Sequence, residues 1–279
     1  MPFLILCLFS LQLAAQSSVS VTLVESEFLT RDVGAFPLAN AERQAHMRKL
    51  FEAAHCPEIH EVPLGKKPVP ATIVCIWPGA QPEAIVVGAH FDKVQKGEGK
   101  IDNATGSVLL PHLMRALHSS PKQHTYIYCA FAEEEQGLLG SKALVKKGLP
   151  GREKELFVKS LKAMINIDSV ATGNTAVALS NSDQWLAAIA KSTATALKVP
   201  LDFINVDQVG HSDGASFAVK GVPSIEFHSL TNETFPILHT ERDTMNELKP
   251  DHYNDTYRLV AFYLAHLDTA IVSRPVKKK

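Results

Sequence analysis

The chain has 279 residues, 46% of them apolar, with 28 Lys+Arg against 29 Asp+Glu and a formal net charge of -1. That composition excludes a disordered, collagen-like or coiled-coil chain, and the near-zero charge removes the electrostatic drive toward nucleic acid or an anionic membrane. The length suits one large α/β domain with a sizeable core.

The first fifteen residues, MPFLILCLFSLQLAA, form the longest apolar stretch, broken by Ser10 and Gln12 and followed by polar Gln16, Ser17 and Ser18. Too short to span a bilayer, this segment has the form of a secretory h-region cleaved near Ala15 or Gln16, although no Lys or Arg precedes it. The expectation is a signal peptide over 1–15, a single domain over 16–279 with no membrane span, and a secreted or periplasmic protein. Cleavage removes Cys7 and leaves Cys56, Cys75 and Cys129, an odd number that allows one bridge at most. Cys129 lies in an apolar run and reads as a buried thiol, so Cys56 and Cys75 are the expected pair. The basic run 274–279 reads as a solvated end.

Beyond the leader there is no internal repeat. An amphipathic helix is predicted over 40–54, after which Pro57, Pro63, Pro68 and Pro70 mark a loop with room for one short strand. Apolar runs at 71–76 and 84–89 predict strands, followed by a helix at 104–117 that Pro111 should kink or begin. A strand at 126–132 and a helix at 138–146 come next, then strands at 163–167 and 176–179. The remaining predictions are helices at 183–197 and 212–219, a strand at 224–227 and a helix at 253–271. Strand alternating with helix implies an α/β fold, doubly wound, with a largely parallel mixed sheet, helices on both faces and sites at the carboxyl ends of the strands.

Those strand ends carry chemistry. The second strand ends at His90-Phe91-Asp92, and twelve residues after His90 comes Asp102-Asn103-Ala104-Thr105-Gly106 at a helix start. The next ends in Glu133, Glu134 and Glu135 before Gly137-Leu138-Leu139-Gly140-Ser141, and the one after at Asn166-Ile167-Asp168-Ser169. His239-Thr240-Glu241-Arg242-Asp243-Thr244 adds a late histidine with a carboxylate four residues on. Each has a plain structural explanation when taken singly: Asp102 capping a helix, the three glutamates favoured by a helix dipole, Asp168 closing an Asx turn, either histidine satisfied in the core. Together they would gather several carboxylates in one cleft, a like-charge cluster that divalent cations relieve. Imidazole and oxygen donors without thiolates suit zinc, with manganese or cobalt as substitutes.

His-x-Asp, Asp-Asn-Ala-x-Gly, Glu-Glu-x-Gly-Leu-x-Gly-Ser, Asn-x-Asp and His-Thr-x-x-Asp-Thr, in this order over 84–244, resemble the zinc-dependent aminopeptidase family that includes bacterial leucyl aminopeptidases. The resemblance implies two zinc ions, with His90 and Asp168 on one, Glu135 and His239 on the other, and Asp102 bridging both. It places Glu134 as general base and Asp92 and Asp243 as the groups that orient His90 and His239. Glu133 falls outside the motif. The implied substrate is a peptide with a free N-terminus, hydrolysed by a water that zinc acidifies and Glu134 deprotonates. In the Gly210–Phe217 stretch, Gly214 stands where the family often has His, and no tyrosine occurs between Val199 and Thr240 to stabilise an oxyanion; His211 is the candidate for that role. Two alternatives stay open: a glutaminyl cyclase, with its single zinc, or a carboxypeptidase on the same fold, and a non-catalytic binding ectodomain. Retention of Glu134 with all five ligands argues against the ectodomain.

Overall fold

The computed structural model describes residues 20–65, 70–120, 122–151, 154–206 and 210–272. The leader expected over 1–15, with Cys7, and the basic run 274–279 lie outside the described residues.

Helices α1 (Ser26–Gly34) and α2 (Asn40–Ala53) precede strands β1 (Glu58–Pro63), β2 (Ala71–Trp77) and β3 (Gln81–His90). An irregular turn (Lys100–Ala104), with Asp102 and Asn103 outside helical φ/ψ, leads into α3 (Thr105–Ala116), β4 (His124–Phe131), α4 (Leu139–Lys147), α5 (Lys154–Ser160) and β5 (Leu161–Ile167). The chain continues through β6 (Thr175–Val177), α6 (Gln184–Leu197), β7 (Leu201–Phe203), α7 (Gly214–Ala218), β8 (Ser224–His228) and α8 (Pro250–Val272). The strands form one eight-stranded sheet in the order β1-β2-β4-β3-β5-β8-β6-β7. Its centre, β4-β3-β5-β8, is parallel, as is β6 with β7, whereas β1-β2, β2-β4 and β6-β8 pair antiparallel.

Every strand and helix predicted from the sequence is present, with ends displaced by a few residues. Helix α3 runs through Pro111. Four elements lie beyond those predictions or at their margin. Helix α1 buries only Leu29 and Val33, α5 is short, β1 is a half-buried edge strand within the proline-marked loop, and β7 pairs on one side only. At seven and three residues, α5 and β7 are too short to display an apolar period. Among the described residues no helix is long and apolar enough to cross a membrane.

Strand alternation divides the core. Ile85, Val87 and Ala89 of β3, Ala163, Ile165 and Ile167 of β5, and Ile225 and Phe227 of β8 face a cluster packed under α1, α2, α3, α6 and α8. The other face, with Val86, Ile127 and Met164, packs under α4, α5 and α7. Period-two alternation puts His90 of β3, Asn166 of β5, and Glu226 and His228 of β8 on this second face, toward the carboxyl ends of the strands. The apolar face thus gives way to a polar one at the sheet's top.

Cys56, just after α2, is bridged to Cys75 in β2, and Cys129 is a buried free thiol. Closing a separation of 19 residues should stabilise the fold by about 3 kcal/mol. Denaturant titration of the Cys56→Ala/Cys75→Ala double variant is therefore expected to show a loss of that order, and a midpoint equal to the wild type's would refute the contribution.

Candidate metal centre

His90 is the last residue of β3, and its position is fixed through its own carbonyl, which accepts from Ser107 Oγ at 2.6 Å. Asp102 lies in the turn before α3, where the Asp102–Asn103 peptide is cis. Asn103 straps this turn to the end of β5: its Nδ2 donates to the Ile167 carbonyl at 2.9 Å, and its Oδ1 accepts from the amides of Gly106 and Ser169 at 2.9 and 3.2 Å. Gly106 is required here, because a Cβ at that position would collide with the Asn103 side chain and the Ile167 carbonyl. The Asp-Asn-Ala-x-Gly motif is therefore a device for holding one carboxylate beside the next strand's end.

Glu134 and Glu135 follow β4. Their amides donate to Oδ1 and Oδ2 of Asp92 at 3.0 and 3.1 Å, so the Asp92 carboxylate clasps the loop that presents both acids. Gly140 lets α4 begin against that loop, since a Cβ would strike the backbone of Ala132. Asp168, after β5, is oriented by Ser212 Oγ on its Oδ2 at 2.6 Å and Ser169 Oγ on its Oδ1 at 3.1 Å, and Asn166 Nδ2 in turn donates to Ser212 Oγ at 2.7 Å. His239 reaches in from the late loop with a left-handed φ of 60°, a conformation that a non-glycine residue holds only where its surroundings enforce it.

The five side chains converge. His90 Nε2 lies 3.1 Å from Asp102 Oδ1 and 3.4 Å from Asp168 Oδ1, while His239 Nε2 lies 3.1 Å from both Asp102 Oδ2 and Glu135 Oε2. Two donor groups result, His90–Asp102–Asp168 and Asp102–Glu135–His239, each with its donor atoms within 4.8 Å of one another and Asp102 common to both. The donors fit zinc: nitrogen and oxygen only, with Glu135 Oε1 buried and lacking any protein partner. The electrostatics point the same way. Burial opposes the charge on Asp102, yet hydrogen bonds from His239 and His90 hold its carboxyl well below the usual range. Burial likewise opposes charge on His90, but Asp168, Glu134 and Asp102 hold its imidazole well above the usual range. Positive charge is what this cluster of acids demands.

Glu134 faces the same space without joining either group. Its carboxylate makes no hydrogen bond or ion pair among the described residues, and burial, partly offset by His90, pushes it up to about 9. It lines a cavity of about 350 Å³ together with the five donors and His211. Glu133 turns away and lines a separate pocket with Asp92 and α2.

One expected contact is present and one differs. Asp92 meets His90 Nδ1 through its backbone carbonyl at 3.2 Å and its carboxylate at 3.6 Å, while the same carboxylate accepts from the amides of Glu134 and Glu135. It lies outside the cavity lining and acts by positioning. Asp243 does not orient His239: the chain turns at Thr240, and the Asp243 carboxylate accepts from the amides of Ile101 and Asp102 at 2.7 and 3.3 Å. It thus holds the shared carboxylate's own turn. Arg43 was not singled out from sequence. Fully buried, it donates to the carbonyls of Pro37, Phe91, Glu98 and Gly99 and so pins the loop between His90 and Asp102. Its signal was the i, i+4, i+8 set Arg43, Met47 and Phe51 on the inner face of α2.

The sequence model described as Peptidase family M28 matches residues 72–264. Aminopeptidase YwaD of Bacillus subtilis is 30% identical over 205 residues, which cover 71% of this chain and 42% of that protein; the chain spans about half the length of the curated relatives it matches. BSAP, a zinc aminopeptidase from Bacillus subtilis, superposes with a TM-score of 0.61 at 25% identity, over 72% of this chain and 50% of that one. An Acidobacteriales bacterium glutaminyl cyclase superposes with a TM-score of 0.69 at 18% identity, over 88% and 94% of the two chains, a likeness of fold.

Proposed function

Since the chain belongs to peptidase family M28, we propose that it is a zinc-dependent aminopeptidase, removing N-terminal residues from peptides with Glu134 as general base. One observation carries this reading: two donor groups share Asp102, with Glu134 unengaged on the cavity beside them. His90 and Asp168 would hold one zinc, Glu135 and His239 the other, and Asp102 both. Bound there, zinc supplies Lewis acidity, making water acidic and a peptide carbonyl electrophilic. Glu134 accepts the proton of the attacking water and returns it to the departing amine. Asp92 keeps Glu134 and Glu135 in register by holding their amides. His211, exposed on the cavity wall, is the proposed donor to the oxyanion. The similarity to YwaD and BSAP supports aminopeptidase action. The second donor group favours hydrolysis over the single-zinc cyclase alternative, for which a shared carboxylate has no use. A place outside the cytosol is proposed from the apolar leader and supported by the Cys56–Cys75 bridge.

The test pairs zinc analysis of the purified protein with three substrates: leucyl-p-nitroanilide, its N-acetyl derivative and a peptide beginning with glutamine. The expected result is two zinc ions per chain, cleavage of the free-amino substrate and none of the acetylated one. Cyclisation of the glutamine peptide faster than hydrolysis would replace the aminopeptidase reading. Two bound zinc ions with no turnover of any of the three would refute it.

A further inference from the structure

The cavity that holds the five donors extends along β8. Ser180, Asn181, Asn205, Glu226 and His228 line this extension. In the parallel pairing of β5 with β8, Glu226 lies opposite Asn166, two residues before Asp168. Residues two apart share a face at a spacing of about 6.6 Å, so Glu226 sits one side-chain repeat deeper than the level of Asp168. The recess therefore begins at the metal centre and reaches down to a carboxylate.

That carboxylate is buried, and no cation among the described residues pairs with it. Glu226 is 5% exposed, belongs to neither donor group and forms no ion pair among the described residues. Its side-chain hydrogen bond comes from the neutral Asn181 Nδ2, at 3.3 Å. His228, its neighbour on the strand, cannot serve as counter-ion: its Nδ1 accepts from the Leu230 amide at 3.0 Å and its Nε2 faces the Ile204 carbonyl at 3.2 Å, the pattern of a neutral ring. Burial pushes the acid up to about 8, and the charged groups that act on it, Asp168 and Asp213, are acids as well. A buried carboxylate without a partner is costly, and the cavity is the open side from which a partner can arrive.

We propose that Glu226 makes this recess a pocket for a cationic first side chain, so that the preferred peptides begin with lysine or arginine. The proposal rests on the aminopeptidase reading above. With the scissile bond at the metal centre, the first side chain is the part of the substrate that enters the recess, and lysine and arginine are long enough to carry their charge down one strand repeat. Leucine would leave the carboxylate buried and unpaired, and glutamine would leave it without a counter-charge.

The experiment uses zinc-loaded full-length protein and lysyl-, arginyl-, glutaminyl- and norleucyl-p-nitroanilides. Norleucine matches lysine in length and lacks only the ammonium group. Wild type is expected to favour lysine over norleucine by at least about tenfold in kcat/KM. Glu226→Gln, which keeps size and the contact with Asn181, should abolish that preference, chiefly through KM for lysine, and leave norleucine turnover within about threefold. Calorimetric titration with free L-lysine and L-norleucine gives a readout independent of turnover, and the difference in affinity should disappear in Glu226→Gln. Norleucine or glutamine preferred by wild type, or a lysine preference unchanged in Glu226→Gln, would overturn the pocket assignment and leave the aminopeptidase reading standing. No turnover of any substrate would overturn both.

Discussion

Glu134→Gln is expected to lower peptide hydrolysis by roughly a hundredfold to ten-thousandfold, the range attributed to general acid–base catalysis, while zinc content stays at the wild-type value. The two halves of that result arise from the different surroundings of adjacent residues. Glu134 and Glu135 share one anchor, since Asp92 holds both amides, so an amide side chain at either position leaves the loop in place. Their carboxylates then part company. Glu135 Oε2 stands 3.1 Å from His239 Nε2 within a donor group, whereas Glu134 only borders the cavity. Glutamine at 134 keeps shape and polarity but accepts no proton from water, and so removes chemistry without removing metal. Glutamine at 135 removes an anionic donor, and that variant should lose zinc along with activity. Elemental analysis and turnover measured on both variants decide between the roles. Zinc loss in Glu134→Gln with both ions retained in Glu135→Gln would mean that the assignments are reversed.

What sequence made legible here was whatever a strand end displays locally. His90, Glu134, Glu135 and Asp168 each come after an apolar run that is buried on both faces, and the doubly wound pattern directs such ends to one rim. The wiring between them was not legible, because it depends on where loops return. Asp243 stands four residues after His239, a spacing that invites pairing; its partners are instead the amides of residues more than 140 positions earlier. Asn103 looked like part of a helix start, and its hydrogen bond to Ile167 closes a distance of 64 residues. Glu226 did leave a mark in the sequence: an acid inside a short apolar run read as a strand. In a strand buried on both faces such a residue needs a partner, and only the cavity wall reveals that the described residues supply no cation for it.

Asp102→Asn should have the widest effect on metal content of any single substitution at the centre, because it alone belongs to both donor groups. Its Oδ1 faces His90 Nε2 and its Oδ2 faces His239 Nε2, each at 3.1 Å. An asparagine can offer one neutral oxygen in place of two anionic ones, so whichever group keeps that oxygen, the other meets an NH₂ that cannot donate electron pairs to a cation. Losing even an outer partner of a metal ligand costs roughly 10- to 100-fold in affinity, and a direct ligand shared by two ions should cost more at both. Asp168→Asn is the control, since Asp168 belongs to the His90 group alone. Zinc titrated against a competing chelator should therefore give two tight ions for wild type, one for Asp168→Asn and none for Asp102→Asn, with activity falling in the same order. The turn itself should survive the asparagine substitution, since Asp243 holds it through the backbone amides of Ile101 and Asp102 rather than through the Asp102 side chain. A zinc ion bound by Asp102→Asn with wild-type affinity would show that the two groups do not depend on a common carboxylate, and the bridging role would have to be abandoned.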